Sequence, residues 1–183
     1  MPAAAVLSDV YRSLQTELGE EVDGSTFENG PGPLARIDVM VHRTGPLLVF
    51  ATIGMSIEPM PTGDNRAELR LHRRGPLNPD DHGRIAVQLA NTAGYPWHYG
   101  RPLNWGEIVP LGGQMPTFGG CSALFLAGPW MQGQPGYLDT GAGPVQVINA
   151  VPITEAERAH ARTMHPMRFF EGLLGARDVT IGG

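Results

Sequence analysis

The run Val145-Gln146-Val147-Ile148-Asn149-Ala150-Val151-Pro152-Ile153-Thr154-Glu155-Ala156-Glu157 constrains the fold of this chain more than any other segment. It joins a strand, a stop and a helix start without a break. Val145, Val147, Ile148 and Val151 favour a pleated, half-buried surface. Pro152 has no N–H to give a sheet ladder, so it ends the strand or confines it to an edge. Thr154 stands three residues before Glu157, the spacing of a capping box. There the hydroxyl accepts the N–H of residue 157 and the carboxylate accepts the N–H of residue 154. A strand packed beside a helix follows from these residues, and no reaction does.

The rest of the chain alternates in the same way. Leu7, Tyr11, Leu14 and Leu18 recur at helical spacing, widened by Val6 and Val10, with Gly19 as a stop. Ile37, Val39 and Val41 alternate with Arg36, Asp38 and His42, which predicts a strand with one wet face. Beyond the turn signal Thr44-Gly45-Pro46, Leu47 to Ile53 is apolar on both faces and reads as a central strand. Ala67, Leu69 and Leu71 alternate with Glu68, Arg70 and His72 in a third strand, so these strands suggest a meander. Asn78-Pro79-Asp80-Asp81 opens a helix with a cap, a proline at its first position and acids at its positive end. Ile85, Ala86, Leu89, Ala90 and Ala93 form its buried stripe, and Gly94 is expected to end it. Short strands are expected at Glu107–Leu111, Ser122–Ala127 and Val145–Val151. The last helix, from Glu155, breaks near His165-Pro166 and resumes through Phe169, Phe170, Leu173 and Leu174. The expectation is one α+β domain over 1–183, with a central, mostly antiparallel or mixed sheet of about six strands flanked by helices.

Composition excludes several function classes. The 183 residues suffice for a core without disulfides or metal. A net charge of −5 argues against nucleic acid, which needs clustered cations. His72-Arg73-Arg74 is the one basic run and reads as a solvated edge. Lysine is absent, and all 13 cations are arginine, which removes Schiff-base and P-loop lysine chemistry. The lone Cys121 fits a reducing, cytoplasmic setting. The N-terminus lacks a basic signal-peptide start, and the longest apolar run, Pro46 to Ile53, is too short for a membrane span.

Motifs of catalysis, cofactor or metal binding are not found. Asp80, Asp81 and His82 are explained by the helix start. Gly119-Gly120-Cys121-Ser122 resembles a nucleophile turn, and a hydrolase using Cys121 or Ser122 with His98 is the alternative kept open. Cys121 opens an apolar strand, however, so a buried, inert thiol is expected. Tyr95-Pro96-Trp97-His98-Tyr99, Trp105 and Trp130-Met131 concentrate large rings, either lidding the core or forming a protein-binding patch. Trp97, Tyr99, Trp105 and Trp130 are the partner-binding candidates.

Taken in order, five blocks resemble the suppressor-of-fused family. They are Thr52-Ile53-Gly54-Met55-Ser56, Ala67-Glu68-Leu69-Arg70-Leu71, Trp105-Gly106-Glu107-Ile108-Val109, Leu124-Phe125-Leu126-Ala127-Gly128-Pro129, and Val151-Pro152-Ile153-Thr154-Glu155-Ala156-Glu157. The resemblance covers about residues 5 to 175 and corresponds to the family's N-terminal-type domain in a bacterial member. Animal members restrain a transcription factor in Hedgehog signalling, a role the resemblance does not carry over. It implies a non-enzymatic protein-binding domain without cofactor, and many bacterial relatives look like immunity proteins that neutralise a toxin. The implied partner is therefore a protein, a toxin in the most concrete version, and the oligomeric state is left open.

Overall fold

The structure, a computed structural model, describes residues 2–182. In chain order the elements are α1 (Pro2–Leu18), β1 (Glu21–Glu28), β2 (Arg36–Thr44), β3 (Leu47–Ile53), a 3₁₀ turn at Met55–Ile57 and β4 (Arg66–Arg74). There follow α2 (Pro79–Tyr99), β5 (Ile108–Pro110), β6 (Cys121–Ala127), β7 (Tyr137–Thr140), β8 (Gly143–Thr154), α3 (Glu155–Ala161) and α4 (Pro166–Ala176). The strands form one eight-stranded sheet in the order β1-β2-β3-β4-β8-β6-β5, with β7 beside β8. β1 to β4 are an antiparallel meander, β8 lies parallel to β4, and β5, β6 and β7 join antiparallel. The sheet is therefore mixed and larger by two strands than the sequence pattern suggests. The additions are β1 and β7, whose residues carry little apolar alternation.

One face of the sheet is mostly apolar. Val39, Phe50, Leu69, Leu71, Leu124 and Ile148 meet Ile85, Ala86, Leu89 and Ala93 of α2 there. The opposite face holds two separate apolar clusters. Val6, Val10 and Leu14 of α1 cover Ala51, Val145 and Val147, while Phe169 and Leu173 of α4 cover Phe125, Val151 and Ile153. Tyr11 turns out of the helical stripe, and its hydroxyl donates to Glu21 at 3.0 Å.

Between these clusters runs a buried polar strip. On β8, Asn149 stands between Val147 and Val151, in register with Arg70 of β4. Arg70 is only 2% exposed. It makes a two-pronged contact with Glu17 of α1, 2.7 Å at each prong, the geometry that holds an otherwise costly buried cation. Glu68, on the same side of β4, accepts from the hydroxyls of Thr52 and Ser56, each at 2.6 Å. It also accepts from the N–H groups of Gly54 and Ser56 at 2.9 and 3.0 Å. Burial pushes its carboxyl up, against the pull of those bonds. Gly54 is required at this turn: its φ is +129°, and a Cβ would sit 2.6 Å from the Arg36 carbonyl oxygen.

The ends of α2 and β8 lie beyond those expected. α2 continues past Gly94 to Tyr99 and is capped by Gly100, whose φ of +66° suits a left-handed cap. Gly94 serves packing: a Cβ there would lie 2.9 Å from the Pro31 ring, so the β1–β2 loop rests on bare backbone. β8 runs through Pro152 to Thr154. The Pro152 carbonyl accepts from Arg177 at 2.8 Å, which shows that its backbone turns away from β6. β4 pairs with β8 only as far as Asn149, so the missing N–H costs no ladder bond. The basic run is a solvated edge only in part: His72 is buried, and the Arg73 guanidinium lies over Phe118 and donates to Thr117. Arg73 is half-buried, and Arg74 is exposed and pairs with Asp178.

The capping box forms as expected. Glu157 N–H donates to the Thr154 hydroxyl at 3.2 Å, and Thr154 N–H to the Glu157 carboxylate at 2.8 Å. Arg177 adds two bonds to the same carboxylate, at 2.6 and 2.9 Å, tying the C-terminal segment to the start of α3.

Candidate functional site

Both edge strands of the sheet contribute to one groove. Phe27 near the end of β1 and Val109 of β5 line a cavity of about 960 Å³, with Tyr95, His98 and Tyr99 of α2. Tyr95 and Tyr99 are one helical turn apart, and their ring centroids are 4.4 Å from each other. His98 meets Tyr99 edge-on at 4.7 Å, and Arg101 lies over Tyr95 at 5.8 Å. Gly100 ends the helix, so the stack stands at its tip. Tyr99 is 61% exposed. A flat amphipathic ring held by stacking and left open to water loses little side-chain freedom when covered by a partner.

The four aromatic candidates do not form one patch. Trp97 is half-buried against the Gly32 backbone, where a Cβ would fall 2.8 Å from the indole. Trp105 fills the gap along β8 between β7 and β6. Its indole N–H donates to the Val147 carbonyl at 3.0 Å, while Gly128 and Gly136 lie against its ring. Trp130 packs edge-on against His72 at 5.6 Å and Phe170 at 6.2 Å. Burial holds His72 uncharged, with its pKa lowered to about 4. Of the four, Tyr99 alone is exposed.

Cys121 is wholly buried in the main core, and burial pushes its thiol pKa up. His98 lies on the exposed end of α2, and no hydrogen bond joins it to Cys121 or Ser122 among the described residues. No cluster of His, Cys, Asp and Glu suited to a metal ion occurs among the described residues. No described helix is long and apolar enough to cross a membrane.

A family model described as Suppressor of fused protein (SUFU) matches residues 33–181. The chain belongs to the suppressor-of-fused family. Two of the family blocks noted in the sequence meet at Glu68, whose carboxylate holds the Thr52–Ser56 segment in place. The suppressor-of-fused fold is seen again in a crystal structure of the Sufu–Fu complex. That match has a TM-score of 0.68 and 16% identity, and covers 97% of this chain and 85% of the other. The crystal structure of Drosophila Suppressor of Fused matches with a TM-score of 0.67 and 15% identity over 97% of this chain. It is covered for 47% of its length, so this chain spans about half of the Drosophila protein. No curated protein sequence matches the chain.

The groove itself was not visible in the sequence. Phe27 and Pro31 are far from Val109 along the chain and at the opposite end of the strand order, and only the folded sheet gathers them beside α2. The one local signal was the i, i+4 pair Tyr95 and Tyr99, hidden by the expectation that Gly94 ends the helix.

Proposed function

We propose that this domain is a non-enzymatic protein-binding module that captures its partner at the groove beside Tyr99. The observation that carries the reading is an exposed ring, stacked and pre-positioned, at the rim of a cavity large enough for side chains of a partner. The family membership supports it, as does the Sufu–Fu complex, in which a protein of this fold is found with a protein partner. In its most specific form the partner is a toxin, and the domain is an immunity-type inhibitor acting in the cytoplasm. The test is capture from native lysate by immobilised protein, with Tyr99→Ala alongside. Loss of capture at an unchanged unfolding midpoint supports the site, and undiminished capture refutes it. The immunity reading requires that the captured protein arrest growth when expressed alone and that co-expression with this chain restore growth.

A further inference from the structure

The two edges of the sheet are built differently. β5 is three residues long and includes Pro110, which has no N–H to offer. β1 is eight residues long, contains no proline and pairs only with β2. The Asn29 N–H reaches the Ala35 carbonyl at 3.0 Å, just beyond the ladder. Alternation along the register from Asp23 to Glu28 therefore turns the backbone groups of Gly24, Thr26 and Glu28 outward. The Gly24 N–H is taken by the Asp23 carboxylate at 2.8 Å, as an outward group with no strand beside it would be. The N–H and C=O groups of Thr26 and Glu28 are left as a template for one more strand. Beside that edge a surface cleft of about 680 Å³ lies between Ser25–Phe27 and the first turns of α2, over Gly83 and the exposed Val87.

Charge selects the occupant. Residues 20–28 hold Glu20, Glu21, Asp23 and Glu28 and no cation, and Asp80 adds a carboxylate at the cleft. The nearby Arg84 is tied to Asp81, and His82 bonds Asp23 at 2.7 Å. Glu20, Glu21, Glu28 and Asp80 form no ion pair among the described residues. A second copy of this chain would set like charges opposite one another, which disfavours the pairing. We propose that β1 is a docking edge for an extended, cationic segment of a partner protein, paired to Thr26 and Glu28 and laying alternate side chains over Gly83 and Val87. The proposal extends the protein-binding reading to a surface that shares only the Phe27–Glu28 corner with the Tyr99 groove.

The probe is a short blocked peptide of alternating arginine and valine, with a glutamate–valine peptide as control, added to the intact chain. Amide hydrogen exchange followed by NMR should show protection gained at Thr26 and Glu28 with the arginine peptide and none with the control. Thr26→Pro removes an outward N–H at an edge position that tolerates proline, and should weaken binding by roughly tenfold or more. Should that variant fail to fold, the pair Glu20→Lys and Glu28→Lys leaves the backbone intact and should weaken binding similarly. Tyr99→Ala should leave peptide binding unchanged, so loss of partner capture there with peptide binding intact separates the two surfaces. Protection absent at Thr26 and Glu28, equal binding of the glutamate peptide, or undiminished binding by the variants would overturn the proposal. So would protection of the same amides by self-association, which would assign the edge to a second copy.

Discussion

Two aromatic groups, close in sequence, have opposite fates. Tyr95, His98 and Tyr99 stack on one another at the tip of α2 and line an open groove. Trp105, a few residues later, is fixed by a hydrogen bond to the Val147 carbonyl and by glycines that admit its ring. What separates them is the state of the backbone nearby. The last turn of α2 is closed by Gly100 and needs nothing from its side chains. β8 at Val147 is reached by neither β6 nor β7, and a carbonyl left bare inside a protein carries a large desolvation cost. Trp105 answers that need, so its size serves the fold, whereas the size of Tyr99 is free for a partner.

The largest effect that follows is on Trp105. Trp105→Ala should destabilise the domain by about 3 kcal/mol, combining lost ring packing with an unpaired carbonyl, as measured by denaturant unfolding. A cost below about 1 kcal/mol would place Trp105 with Tyr99 and erase the distinction.

A comparable effect depends on pH. His72 has its pKa lowered to about 4 by burial beside Trp130, so the folded state holds it neutral while the unfolded chain protonates it at its ordinary pKa of 6.5. Its contribution is complete above pH 6.5 and is lost as pH falls towards 4, by about 3 kcal/mol in all. Glu68 acts in the opposite sense. Its raised carboxyl pKa means that acid relieves the burial of its charge, so stability from that group rises as pH falls. Replacing His72 with Gln should therefore flatten the acid limb of a stability–pH curve and leave capture intact at neutral pH. An unchanged acid limb would show that burial of a neutral His72 does not set the acid sensitivity of the fold.

A smaller effect sharpens the comparison from outside it. Thr154→Ala removes one half of the capping box and should cost about 1 kcal/mol without reducing partner capture. An unchanged unfolding midpoint would mean that the Arg177–Glu157 contact alone holds the start of α3.

How much of this was legible in the sequence follows the same division between local and long-range causes. The capping box, the Asn78 cap and the apolar strands β3 and β6 depend on neighbouring residues, and the sequence shows them. β1 was missed because Glu-Val-Asp-Gly-Ser-Thr-Phe-Glu presents acids where a half-buried strand would present aliphatics, and only the ladder to β2 defines it. Glu68, Arg70 and His72 read as a wet face because their alternation is that of an exposed strand. Partners far along the chain, Thr52, Glu17 and Gln134, make their burial tolerable. Trp105 and Tyr99 were both recognisable as large rings, yet the gap that Trp105 fills arises only when β6 and β7 stop on either side of Val147. The candidate residues could thus be named from sequence, while their sorting required the fold.

The direct measurement is the affinity of the captured partner for the wild-type chain and for Tyr99→Ala, each with its unfolding midpoint. Loss of the ring from a partner-covered rim should cost 2 kcal/mol or more in binding, roughly thirtyfold, with stability changed by no more than about 0.5 kcal/mol. Equal affinity of the two proteins would contradict the groove as the binding site. A parallel fall in affinity and stability would return Tyr99 to the structural group that holds Trp105.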